Sequence, residues 1–316
     1  MLADMGAAMD AIERVLFWGR PVYRLEQEDL QALVDPEHGM AVVSFSYRGK
    51  QLIWYDQQRF LDGRTYGIPV LFPFPNRIRD GRYLFDGVSY GPMGMHGFVK
   101  DEAFAVTPVH EEEGKACIEG VFDFTEIHPL FKCFPFPFNL TVGITLSPHK
   151  IRWEYRVRNT GGRSFGYGFA LHPFFLCTDD TTMQVDAPYV MDSDANNLPT
   201  GRLVPVEGTR YDLLSMHTVR EVAGLDSVLY REEGSFGCRM TSPGVARIAL
   251  ETSGEFRHFV VYTPVGAPYF CLEPQTSSTD CHNLYALGHR KVSNLLIVNP
   301  QSNLSGWIEM EIQPDT

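Results

Sequence analysis

The sequence predicts a mainly β protein, a large antiparallel β-sandwich formed by one domain over residues 1–316. Three observations predict it. Short apolar runs of strand length dominate the chain. Turn residues separate them. Helical periodicity is scarce, and no Pro/Gly/Ser linker, internal repeat or block of like charge divides the 316 residues.

The elements follow in chain order. Residues 4 to 17 suit one short amphipathic helix. "MAVVSFSY" (40–47) and "QLIWYD" (51–56) suit strands joined by the turn "YRGK". Next comes "IPVLFPFPNRIRDGRYLFDG" (68–87), in which Pro69, Pro73 and Pro75 lack the ladder donor that a central strand needs. It therefore reads as a stiff, extended loop that aims Asn76 and Arg77 in fixed directions. "TEIHPLF" (125–131) is too interrupted for a long helix. "FNLTVGITLS" (138–147) and "IRWEYRVRN" (151–159), joined through "LSPHK", form a hairpin pattern. "RIALET", "HFVVYT" and "NLLIVN" complete the strands read from pattern.

Composition narrows the function. Lys and Arg number 27 against 39 Asp and Glu, a net charge of −12, which argues against nucleic acid as a partner. No run approaches the roughly 20 apolar residues of a membrane helix. The N-terminal residues lack the basic start and apolar stretch of a secretory leader. The six cysteines form no C-x-x-C pair and read as reduced thiols, so a cytoplasmic protein is expected. Aromatic residues make up 13% of the chain, suited to β packing and to stacking on sugar rings.

Five places carry polar groups in unusual surroundings. Glu273 ends the apolar run of "YFCLEPQT", where desolvation would raise its pKa and make it a usable general base. A strand-end glutamate in water is the bland alternative. His172 sits inside "FALHPFF", as a core histidine or as an acid with little solvent. His96 lies between glycines in "GMHGF", where backbone and ligand can approach closely. Asp226 in "GLDSVLY" suits a turn or cap, and Asn76-Arg77 could pair with a neighbouring acid. As a set, they supply a base, an acid and convergent hydrogen-bonding groups in aromatic surroundings, which fits a polyhydroxylated ligand.

The chain resembles the aldose 1-epimerase (galactose mutarotase) family. "PVLFPFPNRIRDGRYLFDG", "HGFVKDEAF", "FALHPFF", "LDSVLY" and "LEPQT" occur in the family's order between residues 42 and 276. The resemblance implies a galactose mutarotase-like supersandwich with a sugar cleft on one sheet. It implies interconversion of the α and β anomers of an aldose, with Glu273 as general base and His172 as general acid. Arg77, His96, Asp226 and Asn76 would hold the sugar. The reaction needs neither nicotinamide nor metal, in keeping with the absence of G-x-G-x-x-G and H-E-x-x-H. The expected partner is a small sugar, and the protein a monomer or homodimer.

Two departures from the family pattern stand out. Pro173-Phe174-Phe175-Leu176 replaces a common Pro-Tyr-Phe-Asn, and a proline-glycine-glutamate near the end is missing. Two alternatives accompany this reading. One is a hexose-6-phosphate 1-epimerase using Arg77, Arg79, Arg82 and Lys100. The other is a carbohydrate-binding protein without turnover. A serine hydrolase built on "GRSFG" around Ser164 is rejected, because the motif lies in a hairpin turn rather than a strand-to-helix turn. A calcium loop at "DSDANN" (192–197) lacks the required glycine and glutamate.

Overall fold

The structure is a computed structural model that describes residues 12–62, 64–107, 110–112, 114–234 and 237–315. Antiparallel strands dominate it. One sheet has 10 strands. Along most of its width its order is Lys115–Phe124, Phe138–Ser147, Lys150–Asn159, Asn303–Pro314, Ala246–Thr252, Gly237–Ser242 and Thr182–Val185. A second sheet has 8 strands, ordered Pro199–Pro205, Tyr189–Ser193, Asp226–Tyr230, His258–Tyr262, Tyr269–Gln275, Ala170–Leu171 and Val70–Leu71, with Phe174–Leu176 also paired to Tyr269–Gln275. An N-terminal 5-stranded sheet is joined to the second by the single bridges Val42–Ile68 and Ile53–Phe175.

Side-chain alternation makes this a sandwich. In Lys115–Phe124 and Lys150–Asn159 every second residue is buried and the others face water. Leu140, Val142 and Val157 from the first sheet share one apolar cluster with Phe259, Val261, Phe270 and Leu272 from the second and Val34 and Val42 from the third. A fully buried Leu contributes about 1.5–3 kcal/mol of transfer free energy, so this shared face is what holds the sheets together.

Most expected strands are present within a residue or two, and two expectations need correction. The helix expected over 4–17 is a strand over Ile12–Phe17, paired in register with Arg20–Gln27. The turn residues Trp18 and Gly19 both have positive φ, which closes a tight hairpin and gives the apolar residues a sheet partner. The remainder of that helix lies outside the described residues. "QLIWYD" contributes only Gln51 to a strand and Ile53 to a single bridge. The chain then turns into a short helix, Gln57–Leu61, because the Asp56 carboxylate accepts the Arg59 N–H at 2.8 Å and caps it.

Pro69, Pro73 and Pro75 stay out of any central strand, as read, although the stretch expected as a loop carries the short strand Val70–Leu71. They flank or follow Val70–Leu71, the outermost strand of its sheet, where a missing donor costs no ladder bond. No helix among the described residues is long and apolar enough to cross a membrane. All six cysteines are free.

Candidate active site

The site is built on the outer face of the 8-stranded sheet. Alternation along Tyr269–Gln275 sends Phe270 and Leu272 into the shared core and Cys271, Glu273 and Gln275 to the other face. Register continues that face across the sheet. Val260 lies opposite Glu273, Tyr262 opposite Cys271, and Asp226 opposite Tyr262. Asp226 is thereby placed on the same face as Glu273, two strands away, by sheet pairing alone. The neighbouring patch of Met191, Val228, Tyr230 and Val260 is covered by Leu284 of the helix Cys281–Ala286.

His172 arrives from the other side. It follows the two-residue strand Ala170–Leu171, and its backbone N–H donates to the Pro69 carbonyl at 3.1 Å. Its ring stacks on Phe174 at 4.5 Å with only 7° between the planes, which fixes its direction. Its Nε2 lies 3.3 Å from Oε1 of Glu273. Gln275 Nε2 donates to the other oxygen, Oε2, at 3.2 Å.

The proline loop supplies the rim. Asn76 adopts left-handed backbone, and its carbonyl accepts the His96 N–H at 2.8 Å. This contact requires Gly97, where a Cβ would stand 2.2 Å from the Phe72 carbonyl oxygen. Gly168 is needed equally, since a Cβ there would meet Ser277 Oγ at 2.0 Å and Pro75 just beyond. Arg77 donates to Asn76 Oδ1 at 3.2 Å and to Asp226 Oδ2 at 3.4 Å, and Asn197 Nδ2 donates to the same Asp226 oxygen at 3.1 Å. The His96 and His172 rings meet edge-on at 5.2 Å. The six residues singled out in the sequence thus form one connected constellation.

Its electrostatics grade from wet to dry. Arg77 and Asp226 remain partly solvated, whereas Glu273 is 2% and His172 7% exposed. Burial, then the nearby Asp226 charge, pushes the Glu273 carboxyl well above its usual range, against the smaller pull of Gln275 and Arg77. Burial, then the neighbouring His96, holds His172 well below the ordinary imidazole value. Burial also lowers His96 to about 4. The dry surroundings therefore disfavour the charged form of both groups. Nδ1 of both His96 and His172 is buried without a protein partner.

A profile described as Aldose 1-epimerase matches residues 21–311 of the chain. The chain belongs to the aldose 1-epimerase family. Solved structures share its fold. A galactose mutarotase-like protein from Clostridium acetobutylicum is 24% identical, with 96% of this chain and 98% of that one covered and a TM-score of 0.84. A protein from Synechocystis is 22% identical over 96% and 98%, with a TM-score of 0.79. A galactose 1-epimerase from Lactobacillus acidophilus is 12% identical over 96% and 98%, also at 0.79. At these identities the structural likeness speaks for the fold.

In this aldose 1-epimerase family member, sequence reasoning missed several residues that surround the site. Gln275 lies two residues after Glu273 in "LEPQT", and the period of two was signal enough to place it on the same face. Asn197 was visible only as part of "DSDANN". Trp54 stacks on Tyr269 at 4.4 Å and lies 5.9 Å from Phe174, forming an aromatic wall beside His172. Arg59 places its guanidinium 5.4 Å from the rings of both Trp54 and Phe174.

The cationic cluster proposed for a phosphate is differently engaged. Arg79 pairs with Asp194 at 2.8 Å, Lys100 with Asp101, and Arg82 donates to Ser89. Ser164 donates to Asn299 Oδ1 at 3.0 Å in the bend before Phe165–Tyr167, a setting unlike a nucleophile turn. Asp194 is engaged by Arg79 and by the N–H groups of Asn196 and Leu198.

Proposed function

We propose that this protein is a cytoplasmic aldose 1-epimerase, folded as a single unit, that interconverts sugar anomers by acid/base ring opening and closure. The observation that carries this reading is the 3.3 Å approach of His172 Nε2 to Glu273 Oε1 at the dry floor of the constellation.

Ring opening takes a proton from O1 and delivers one to O5. Both oxygens are bonded to C1, so they stand only one bond angle apart. A base and an acid held side by side can address both at once. In the productive form the pair carries one proton, on His172. Glu273 receives the O1 proton as His172 protonates O5, and the C1–O5 bond breaks to leave the open-chain aldehyde. Rotation about C1–C2 and reversal of both transfers give the other anomer.

The pair thus ends the opening step as carboxylic acid and neutral imidazole. Both groups are then uncharged, which is the direction in which burial biases each of them. This bias draws the transfer forward once the charged pair is formed, and it opposes forming that pair from the resting enzyme, so Gln275 and the sugar-binding groups offset part of it. Arg77, Asn76, His96 and Asp226 orient the sugar, and the Trp54–Tyr269–Phe174 wall offers planes to its C–H face.

Anomer-exchange NMR across free and 6-phosphorylated aldoses tests the proposal. Exchange above the spontaneous rate, lost in Glu273→Gln, is expected. Sugar binding by calorimetry with exchange at the spontaneous rate would indicate a binding protein instead. Acceleration confined to phosphorylated sugars would move the reading to a hexose-6-phosphate 1-epimerase.

A further inference from the structure

Cys271 has no part in the proton transfers, and packing alone can account for a buried cysteine, since free thiols are among the most buried side chains. Packing does not account for its position. Cys271 and Glu273 share one face of one strand, and His172 meets them from the neighbouring chain segment. The imidazole nitrogen, thiol sulfur and carboxylate oxygen lie within 4.8 Å of one another, and all three residues are buried.

We propose that His172, Cys271 and Glu273 together form a binding site for one borderline divalent cation of the Zn2+ class, and that its occupancy shuts off sugar turnover. The donor set suits that class. Imidazole, thiolate and carboxylate are the three ligand types of tetrahedral zinc, and a thiolate selects against Mg2+ and Ca2+. Spacing suits it also. Two N or O ligands, each about 2.0–2.1 Å from a tetrahedral ion, stand roughly 3.3–3.4 Å apart. The observed Nε2–Oε1 separation is 3.3 Å. The sulfur belongs roughly 3.6 Å from its partners, within a small movement of the Cys271 side chain.

Charge balances at the same point. A dication bound to one thiolate, one carboxylate and one neutral imidazole leaves no net charge in a dry site. Binding displaces two protons to solvent, that of the thiol and the one shared by the His172–Glu273 pair. The fourth position is left for water.

The structure also indicates a reversible occupant. His172 Nδ1 has no protein acceptor to orient the imidazole for a metal, and the Arg59 guanidinium lies just beyond the Phe174 ring and opposes a cation. The ion would take the two atoms assigned to base and acid, so it excludes turnover instead of assisting it. This inhibition rests on the acid/base reading above, whereas the binding does not. Measuring both keeps the two failures distinguishable.

The experiment uses the full chain, freed of metal with chelator and titrated with Zn2+ by equilibrium dialysis, then with Co2+ by absorption spectroscopy. One Zn2+ per chain, a sulfur-to-cobalt charge-transfer band and loss of anomerisation in step with occupancy are expected. Cys271→Ala and Cys271→Ser should keep basal anomerisation and weaken Zn2+ inhibition by about 100-fold, since even outer contacts cost 10–100-fold in affinity. A parent chain without the cobalt–sulfur band overturns the proposal and needs no variant. Zn2+ inhibition unchanged in either variant overturns it too, as does acceleration of turnover by Zn2+.

Discussion

Gln275 Nε2 donates to Oε2 of Glu273 at 3.2 Å, so the carboxyl is held from one side while its other oxygen faces His172. This division of the two oxygens makes Gln275 a positioning residue. Its hydrogen bond favours the charged carboxylate and opposes the effect of burial. In Gln275→Leu, Glu273 should retain its proton to higher pH. The alkaline limb of kcat/KM then moves up and the rate at neutral pH falls. A loss of rate with no movement of the limb would assign Gln275 a purely structural role.

Glu273→Gln should lower kcat by about 10²–10⁴ while sugar binding by calorimetry stays within a few-fold, because a positioned acid or base contributes that range. His172→Asn should behave alike. Parental turnover in either variant rules out the assignment.

The pH dependence follows from one proton shared by two groups. Removing it leaves no acid, and adding a second leaves no base, so the rate should be bell-shaped. Burial shifts Glu273 up and His172 down, and the singly protonated pair is the state between the two limbs. The limbs belong to the pair and not to either residue. A rate that rises monotonically from pH 5 to 9 would contradict the shared-proton mechanism.

Asp226 joins Arg77 and Asn197 at the partly solvated rim. Asp226→Asn should raise KM about tenfold, equivalent to about 1.4 kcal/mol, with kcat less affected. It also removes a negative charge that raises the Glu273 pKa, so the alkaline limb should move down, opposite to Gln275→Leu. Steady-state anomerisation over a pH series reads both effects.

Acid should destabilise the fold. His96, His258 and His282 are buried, with pKa values lowered to about 4 from an ordinary 6.5. His258 and His282 each donate from Nε2 to a backbone carbonyl, of Val292 and Gly166, at 2.9 Å. Between pH 6.5 and 4 the unfolded chain binds more protons than the folded one, so stability rises with pH there and is lost on acidification. The ceiling is about 3.5 kcal/mol per histidine, from 2.5 pH units at about 1.4 kcal/mol each. The Glu273 and Asp280 carboxyls, both pushed up by burial, act oppositely, yet they are two groups against these three and His172. Thermal melts at pH 7 and 4.5 should show a clear fall in Tm, and His282→Gln should lessen it. Equal melting at both values would refute the neutral, buried histidines.

Much of this was legible in the sequence because strand formation is local. Alternation in "IRWEYRVRN" and the prolines of "IPVLFPFPN" identify a strand and an edge loop without tertiary information. The apolar residues around Glu273 and His172 likewise pointed to dry surroundings. The N-terminal error has the same origin. Apolar spacing over residues 4–17 fits a helix by itself, and only the partner strand Arg20–Gln27 makes Ile12–Phe17 extended.

By itself the sequence determined most of the strands, the dry surroundings of Glu273 and His172, and which family the chain resembles. Tertiary structure alone decided that Glu273 reaches His172 and not Arg77, that Asn197 joins the constellation, and that Cys271 stands beside the pair. The physical reason is sheet register. A side chain's neighbours across a sheet are set by backbone pairing between segments distant in the chain, and no local pattern of residues encodes that pairing.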